Sequence, residues 1–372
     1  MINYGPTRLF LKEGNSPEYS PFLNPSEKTF LVISKTLLQR RPEIVTKNTK
    51  PLSVFPMIGS NPDLEELQKI KIPHGINQVV GIGGGSKLDA AKAIFARAIT
   101  RDKYSLKELI NTPKLLSSLP QSRNNFNLVL IPTTFGTSSE LTKWGTIWDW
   151  NEKKKYSISH EMLYADTALV YPELSLTAPR DVTAYTGLDT LSHALESFWN
   201  KDGNFVTRNH SLESIRICLE TLPKLLKKLD SVKYRTRLAK ASILAGLAFS
   251  QTRTAAAHSL SYPLTIHHDI PHGYACSLTL GAMFNYNLSK QPELKQVLKI
   301  FQNNYGNAKS SFNECFKRFL EDCDVPSRLS DFGVVATDIP RLVRDSFHPD
   351  RFNNMSYTLS SKEVGQIFQS VL

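Results

Sequence analysis

The chain has 372 residues, 41% of them hydrophobic, enough to bury two sizeable cores, so two domains are expected. No stretch approaches the roughly 18 uninterrupted apolar residues of a membrane span, and the opening MINYGPTRLFLKEG lacks the apolar block of a secretory signal, so no membrane partner and a cytoplasmic location are expected. The 45 basic and 34 acidic residues give a net charge of +11, but the basic residues lie in scattered pieces such as NEKKKYS (151–157) without aromatic interleaving; this argues against a nucleic-acid partner and leaves a solvated surface or a field that draws in small anions.

Along the first half, strand-like and helix-like segments alternate. TFLVISKTL (29–37) reads as a buried strand, and INQVVGI (76–82) as another. The next stretch, VVGIGGGSKLDAAKAI (79–94), places Gly83, Gly84 and Gly85 between that strand and a helix over 88–100, with Ser86 as its N-cap. Three glycines let the backbone come close to a ligand, and a helix N-terminus offers N–H groups to a phosphate; a plain glycine turn is the other reading, because the loop is not GxGxxG. NLVLIP (127–132) completes a βαβ rhythm typical of parallel sheets. It runs into IPTTFGTSSELT (131–142), where Thr133, Thr134, Thr137 and Ser139 could bond phosphate or ribose, or only satisfy a tight turn.

The strand signal fades near LSLTAPR (174–180), where a proline interrupts the pattern. Two domains follow from this, residues 1–175 and 176–372. Helical spacing then dominates, over 190–199, 211–229, 237–251 and 311–323. GLDTLSHALE (187–196) carries Asp189 and His193 at i and i+4, on one helix face, either as a hydrogen-bonded pair or as two donors to one ion. AHSLSYPLTIHHDIPHG (257–273) holds four of the nine histidines. His258 is expected on a helix ending near Tyr262, before Pro263, and His272 in the loop IPHG. Asp189, His193, His258 and His272 would form a three-nitrogen, one-oxygen set suited to Fe2+ or Zn2+. His267 and His268 read as loop residues. The four cysteines show no CxxC spacing, so they are expected to be reduced core residues rather than thiolate metal ligands.

GGGSKLDAAK, IPTTFGTSSELT, GLDTLSHALE and AHSL…IPHG, in this order, resemble the iron-containing (group III) alcohol dehydrogenase family, over nearly the whole chain. The resemblance implies an α/β Rossmann-like nucleotide-binding domain, an all-α metal-binding domain, and a metal in the cleft between them. It matches Asp189, His193, His258 and His272 to the metal ligands, Gly83, Gly84, Gly85 and Ser86 to a pyrophosphate loop that Asp89 and Lys92 also fit, Thr133 and Thr134 to cofactor-lining threonines, and Lys155 to a lysine reaching the nicotinamide ribose. It implies an NADP(H) or NAD(H) cofactor.

Two departures refine this. Where many members have an aspartate after the first sheet strand, this chain has Ser34 followed by Lys35, which makes a 2′-phosphate acceptable. Where many alcohol-specific members carry a further histidine, this chain has Tyr262, a candidate proton donor. TAAAHSLSYPLT is similar to the 2-hydroxyethylphosphonate dehydrogenase, or phosphonoacetaldehyde reductase, branch, which implies a small anionic aldehyde as substrate. Arg253 is then the expected phosphonate clamp. Succinic semialdehyde as the aldehyde, a dehydroquinate synthase-like lyase on the same scaffold, and a nucleotide-binding protein without catalysis remain as other readings, and a homodimer stays open.

Overall fold

The structure is a computed structural model that describes residues 5–12, 28–42, 44, 51, 53–57, 59, 61–118 and 126–372; of the opening stretch read above, 1–4 and 13–14 lie outside the described residues. The chain forms two compact units. One runs to Thr134 and includes Ser138–Thr177; the other comprises Ala178–Leu372 together with Phe135–Thr137.

Among the described residues, the first unit contains a six-stranded parallel sheet in the order β1-β8-β5-β4-β2-β3, built from β1 (Arg8–Leu11), β2 (Thr29–Ser34), β3 (Ser53–Met57), β4 (Gln78–Gly83), β5 (Asn127–Pro132) and β8 (Thr167–Val170). The central strands are apolar at consecutive positions because both faces are covered. Phe30, Val32, Val79 and Leu128 pack on one face with Leu88, Ala91, Ile94 and Phe95, whereas Leu31, Ile33, Val80, Ile82 and Val129 pack on the other with Leu169 and Leu174. Helices α1 (Lys35–Arg40), α2 (Leu64–Lys69), α3 (Gly85–Ile99) and α4 (Leu106–Asn111) accompany the sheet. A separate antiparallel pair, β6 (Trp144–Asp149) with β7 (Lys154–Ser159), has no counterpart in the sequence reading.

Two boundaries differ from expectation. The strand expected over 29–37 stops at Ser34, because the Ser34 hydroxyl accepts from Leu37 N at 3.5 Å and starts α1. Helix α3 starts at Gly85 with Gly84 as N-cap, so Ser86 lies inside the first turn instead of capping it. Gly81 lets α3 approach the sheet, since a Cβ there would sit 2.7 Å from Ala91 Cβ.

The second unit is helical: α5 (Arg180–Trp199), α6 (Phe205–Lys227), α7 (Val232–Thr252), α8 (Ala256–His268), α9 (His272–Leu278), α10 (Leu280–Leu288), α11 (Lys295–Tyr305), α12 (Phe312–Cys323), α13 (Ile339–Asp345), α14 (Pro349–Phe352) and α15 (Ser361–Ser370). Helix α5 is buried along most of its length against α6, α7 and α9. Helix α8 does not end before Pro263 but continues to His268, and His272 opens α9 instead of lying in a loop. A proline inside a helix removes one backbone donor. Here the residues around it, Ala256 to Leu264, are all buried, and this packing outweighs the local preference. No helix among the described residues is long and apolar enough to cross a membrane.

One buried cation ties the first unit together. Lys92, on α3 and fully buried, donates from Nζ to Ser139 O (2.6 Å), Ser139 Oγ (3.0 Å), Thr142 Oγ1 (3.1 Å) and Trp144 O (2.7 Å). Burial pulls its pKa down to about 8, against the carboxylates of Asp89 and Glu140, which favour the charge. Lys92→Met leaves these acceptors and carboxylates uncompensated in the interior and is expected to cost about 3 kcal/mol. Chemical denaturation would read this as a lower midpoint at unchanged slope; an unshifted midpoint would mean that the cation is dispensable.

Candidate functional site

The helical unit converges on a cluster of imidazoles. Asp189 and His193 leave the same face of α5 and are buried, at 3% and 5% exposure. His193 Nε2 lies 3.9 Å from Asp189 Oδ1, and His258 Nε2, from α8, lies 3.5 Å from the same oxygen and 3.0 Å from His193 Nε2. His272, at the start of α9, faces His258 with ring centroids 5.4 Å apart. Asp189, His258, His272 and Cys276 each offer a donor atom, and these atoms all lie within 4.8 Å of one another. Three of the four expected ligands therefore meet in one group with Cys276, whose sulfur is 3.7 Å from His272 Nε2, while His193 adjoins it through Asp189 and His258. The four cysteines are free and buried, but this one stands among the donors rather than in a plain core position. Its spacing from His272, one helical turn, was the available sign.

Protonation follows from the partners behind the rings. His193 Nδ1 is 3.1 Å from Gly136 O, and His258 Nδ1 is 2.5 Å from Glu196 Oε2. Both partners only accept, so each Nδ1 carries a proton and each Nε2 turns toward the other. Asp189 Oδ1, buried beside them, has no hydrogen-bond partner. Two facing imidazole nitrogens and an orphaned carboxylate oxygen form a site for positive charge, a proton or a metal ion, and oxygen with imidazole donors suits Fe2+ or Zn2+. The electrostatics agree. Burial opposes the Asp189 charge, yet His193, His258 and His272 hold its pKa well below the usual carboxylate range. Burial drives His193 down to about 4, whereas Cys276 and Glu196 outweigh burial at His258 and raise it well above its ordinary value.

Glu196 escaped the sequence reading although it stands inside GLDTLSHALE. It is fully buried, accepts from Ala255 N (2.9 Å), Ala257 N (2.6 Å) and His258 N (3.3 Å), and so caps the start of α8, where Ala255 supplies no capping side chain. The signal was its spacing of three and seven residues from His193 and Asp189, which keeps all three on one helix face. Two glycines permit the convergence. A Cβ on Gly273 would lie 1.8 Å from Tyr185 O and 3.2 Å from Asp189 Cβ, and one on Gly136 would lie 2.8 Å from Thr186 O.

Tyr262 stands one turn after His258. It is 8% exposed, its ring lies nearly parallel to that of His272 with centroids 6.4 Å apart, and its hydroxyl accepts from Arg351 Nε at 3.2 Å. Arg253 is exposed at the C-cap of α7 with φ +65°, and its carbonyl accepts from Asn200 Nδ2 and Thr252 Oγ1. His267 and His268 occupy the last turn of α8, not a loop, and face Asp345 (2.9 Å) and Asp338 (3.8 Å).

In the sheet unit, register aligns the other expected residues. Ile33 pairs with Ile82 and Gly83 with Pro132, so Ser34, the glycine run and Thr133 lie side by side at the carboxyl ends of β2, β4 and β5. Thr133 N bonds Gly83 O at 2.9 Å, and a Cβ on Gly84 would meet Thr134 Oγ1 at 3.1 Å. The N-cap position of α3 is Gly84, which supplies no capping side chain. This is where open parallel sheets bind phosphates. Asp89 is placed otherwise: its oxygens take Ser139 Oγ (2.6 Å) and Thr146 N (2.9 Å), fastening 139–146 to α3. Lys155 lies over Trp148, 5.6 Å from the ring centroid, and Thr137 belongs to the helical unit.

Known proteins share this arrangement. Residues 6–172 match the iron-containing alcohol dehydrogenase family, and residues 183–372 match the C-terminal part of the Fe-containing alcohol dehydrogenase family. Long-chain-alcohol dehydrogenase 1 of Geobacillus thermodenitrificans is 31% identical over 281 residues, covering 73% of this chain and 69% of that protein. Sulfoacetaldehyde reductase of Bilophila wadsworthia is 28% identical over 302 residues, 78% of this chain and 75% of that protein. The crystal structure of sulfoacetaldehyde reductase from Bifidobacterium kashiwanohense in complex with NAD+ superposes with a TM-score of 0.85 at 26% identity, covering 99% of this chain and 97% of that one. The chain belongs to the iron-containing alcohol dehydrogenase family.

Gly273→Ala is expected to force α9 away from α5 and separate His272 from Asp189. Elemental analysis of the purified variant should find metal reduced to a small fraction of that in the parent protein, and full occupancy would show that the helices tolerate the methyl group.

Proposed function

We propose that this protein reduces a small anionic aldehyde to its primary alcohol with NADPH or NADH, and that the aldehyde is phosphonoacetaldehyde and the product 2-hydroxyethylphosphonate. The observation that carries the reading is the orphaned Asp189 oxygen beside the facing Nε2 atoms of His193 and His258, in a chain whose sheet unit aligns Ser34, Gly83–Gly85 and Thr133 at one edge. The anionic substrate is supported by the TAAAHSLSYPLT stretch and by likeness to sulfoacetaldehyde reductases, named for an aldehyde of the same length that ends in a tetrahedral anion.

The reaction consumes aldehyde, reduced cofactor and one proton, and yields alcohol and oxidised cofactor, with hydride passing from nicotinamide C4 to the aldehyde carbon. Asp189, His193, His258 and His272 would hold one Fe2+ or Zn2+, with Cys276 within reach. A bound ion of this kind supplies Lewis acidity toward the aldehyde oxygen. Glu196 and Gly136 O keep the protons on the outer nitrogens, so that the inner ones stay basic. The proton that completes the alcohol comes from the Tyr262 hydroxyl or from water. Pyrophosphate is bound by the glycine run at the start of α3. Ser34, which spends its side chain on the Leu37 amide, places no negative charge beside the ribose, so a 2′-phosphate is accepted. We place the protein in the cytoplasm.

Following absorbance at 340 nm with phosphonoacetaldehyde, succinic semialdehyde and propanal tests this reading. The expected order of kcat/KM puts phosphonoacetaldehyde first and propanal last, and a preference for propanal would refute the anionic class. NADPH is expected to serve at least as well as NADH in the same assay; a strong NADH preference would contradict the role given to Ser34. His272→Ala should lose bound metal and activity together, and activity retained in metal-free protein would reject the Lewis-acid role.

A further inference from the structure

The residues read as binding an anion from sequence do not include Arg351, the cation that the fold places beside Tyr262 and, through it, His272. The segment 346–354 is fastened to α8 along its length. Ser259 Oγ donates to Ser346 O at 2.5 Å and accepts from His348 N at 3.3 Å, and Asn354 Nδ2 donates to Thr254 O at 2.7 Å. Between these anchors the segment presents two side chains to Tyr262. The His348 ring stands edge-on to the tyrosine ring, with centroids 4.8 Å apart, and Arg351 Nε donates to its hydroxyl. Tyr262 in turn lies along His272. One phenol ring therefore spans from a metal-ligating imidazole to a guanidinium.

Resting on the reading of an anionic aldehyde, we infer that Arg351, assisted by His348, is the group that binds the substrate's phosphonate and sets the preference for charged over neutral aldehydes. The substrate chemistry fits this spacing. Its phosphorus sits one methylene beyond the carbonyl carbon, so an aldehyde oxygen directed at the Asp189–His258–His272 cluster leaves the anion a short reach away, on the side where Tyr262 meets Arg351. A guanidinium is planar and always charged, and it suits three equivalent oxygens better than an ammonium does. The bond from Nε to the tyrosine fixes the plane of the group before substrate arrives, which lowers the ordering cost of binding. Arg253, by contrast, is exposed at a helix end, and the hydrogen bonds at that residue run through its backbone.

The test compares kcat/KM for phosphonoacetaldehyde with that for propanal in the metal-loaded parent, Arg351→Gln, Arg351→Lys and His348→Ala. Isothermal titration with 2-hydroxyethylphosphonate, in the absence of nicotinamide cofactor, reads binding without turnover. Arg351→Gln keeps a donor for Tyr262 and removes the charge. The ratio of phosphonoacetaldehyde to propanal should fall roughly 10- to 100-fold through KM, the worth of one charge-assisted contact, with product affinity falling in parallel. Arg351→Lys should recover part of both, and His348→Ala should lose less than Arg351→Gln. An unchanged ratio and unchanged product affinity in Arg351→Gln, with a parent enzyme that prefers the anion, would overturn the assignment of Arg351 while leaving the anionic substrate intact. A parent enzyme indifferent to the anion would overturn both. Thermal melting identifies a misfolded variant, in which case the lysine variant and the titration decide.

Discussion

Two imidazole nitrogens face each other at 3.0 Å beside a carboxylate oxygen without a donor, and the helical unit is organised to hold them so. An arrangement of this kind calls for positive charge among its atoms, a proton or a metal ion, and other contacts position it. The carbonyl of Gly136 and the carboxylate of Glu196 fix the rings from behind, while the absence of side chains at Gly136 and Gly273 lets three backbone segments come within contact distance. Each of these is a buried interaction in which small displacements matter, because hydrogen bonds between charged or polarised groups in a water-poor interior depend steeply on geometry.

The sheet unit solves a different problem with different means. Its strands are held by apolar side chains on both faces, and Ser34, the glycine run and Thr133 fall in register at the carboxyl edge. Lys92 and Asp89 stand just behind that edge and hold the stretch from Ser139 to Thr146 against the helix that begins at the glycines. The glycine run is thereby backed by an internal ion network that leaves its own side of the helix start unobstructed by a capping side chain.

Much of this was legible in the sequence. The buried strands, the long helices and the candidate donors Asp189, His193, His258 and His272 could be read from apolar runs, from i and i+4 spacing and from clustered histidines, since each is a local pattern. What escaped was set by tertiary packing. Helix α8 passes through Pro263 because buried contacts around it outweigh one missing backbone bond. Glu196 looked like any helical glutamate, and only the fold shows three amides and an imidazole delivered to it from α8. Cys276 showed no motif because its companions lie 4, 18 and 87 residues away in the chain, at His272, His258 and Asp189. Arg351 could not be linked to Tyr262 from a separation of 89 residues.

The double duty of Glu196 couples two tasks. One carboxylate both initiates a helix and orients a ring on it, so neither can be altered alone. A neutral amide at this position could still start the helix yet would no longer oblige the imidazole to keep its hydrogen on the outer nitrogen. Keeping both without this carboxylate would require a second acceptor for the ring.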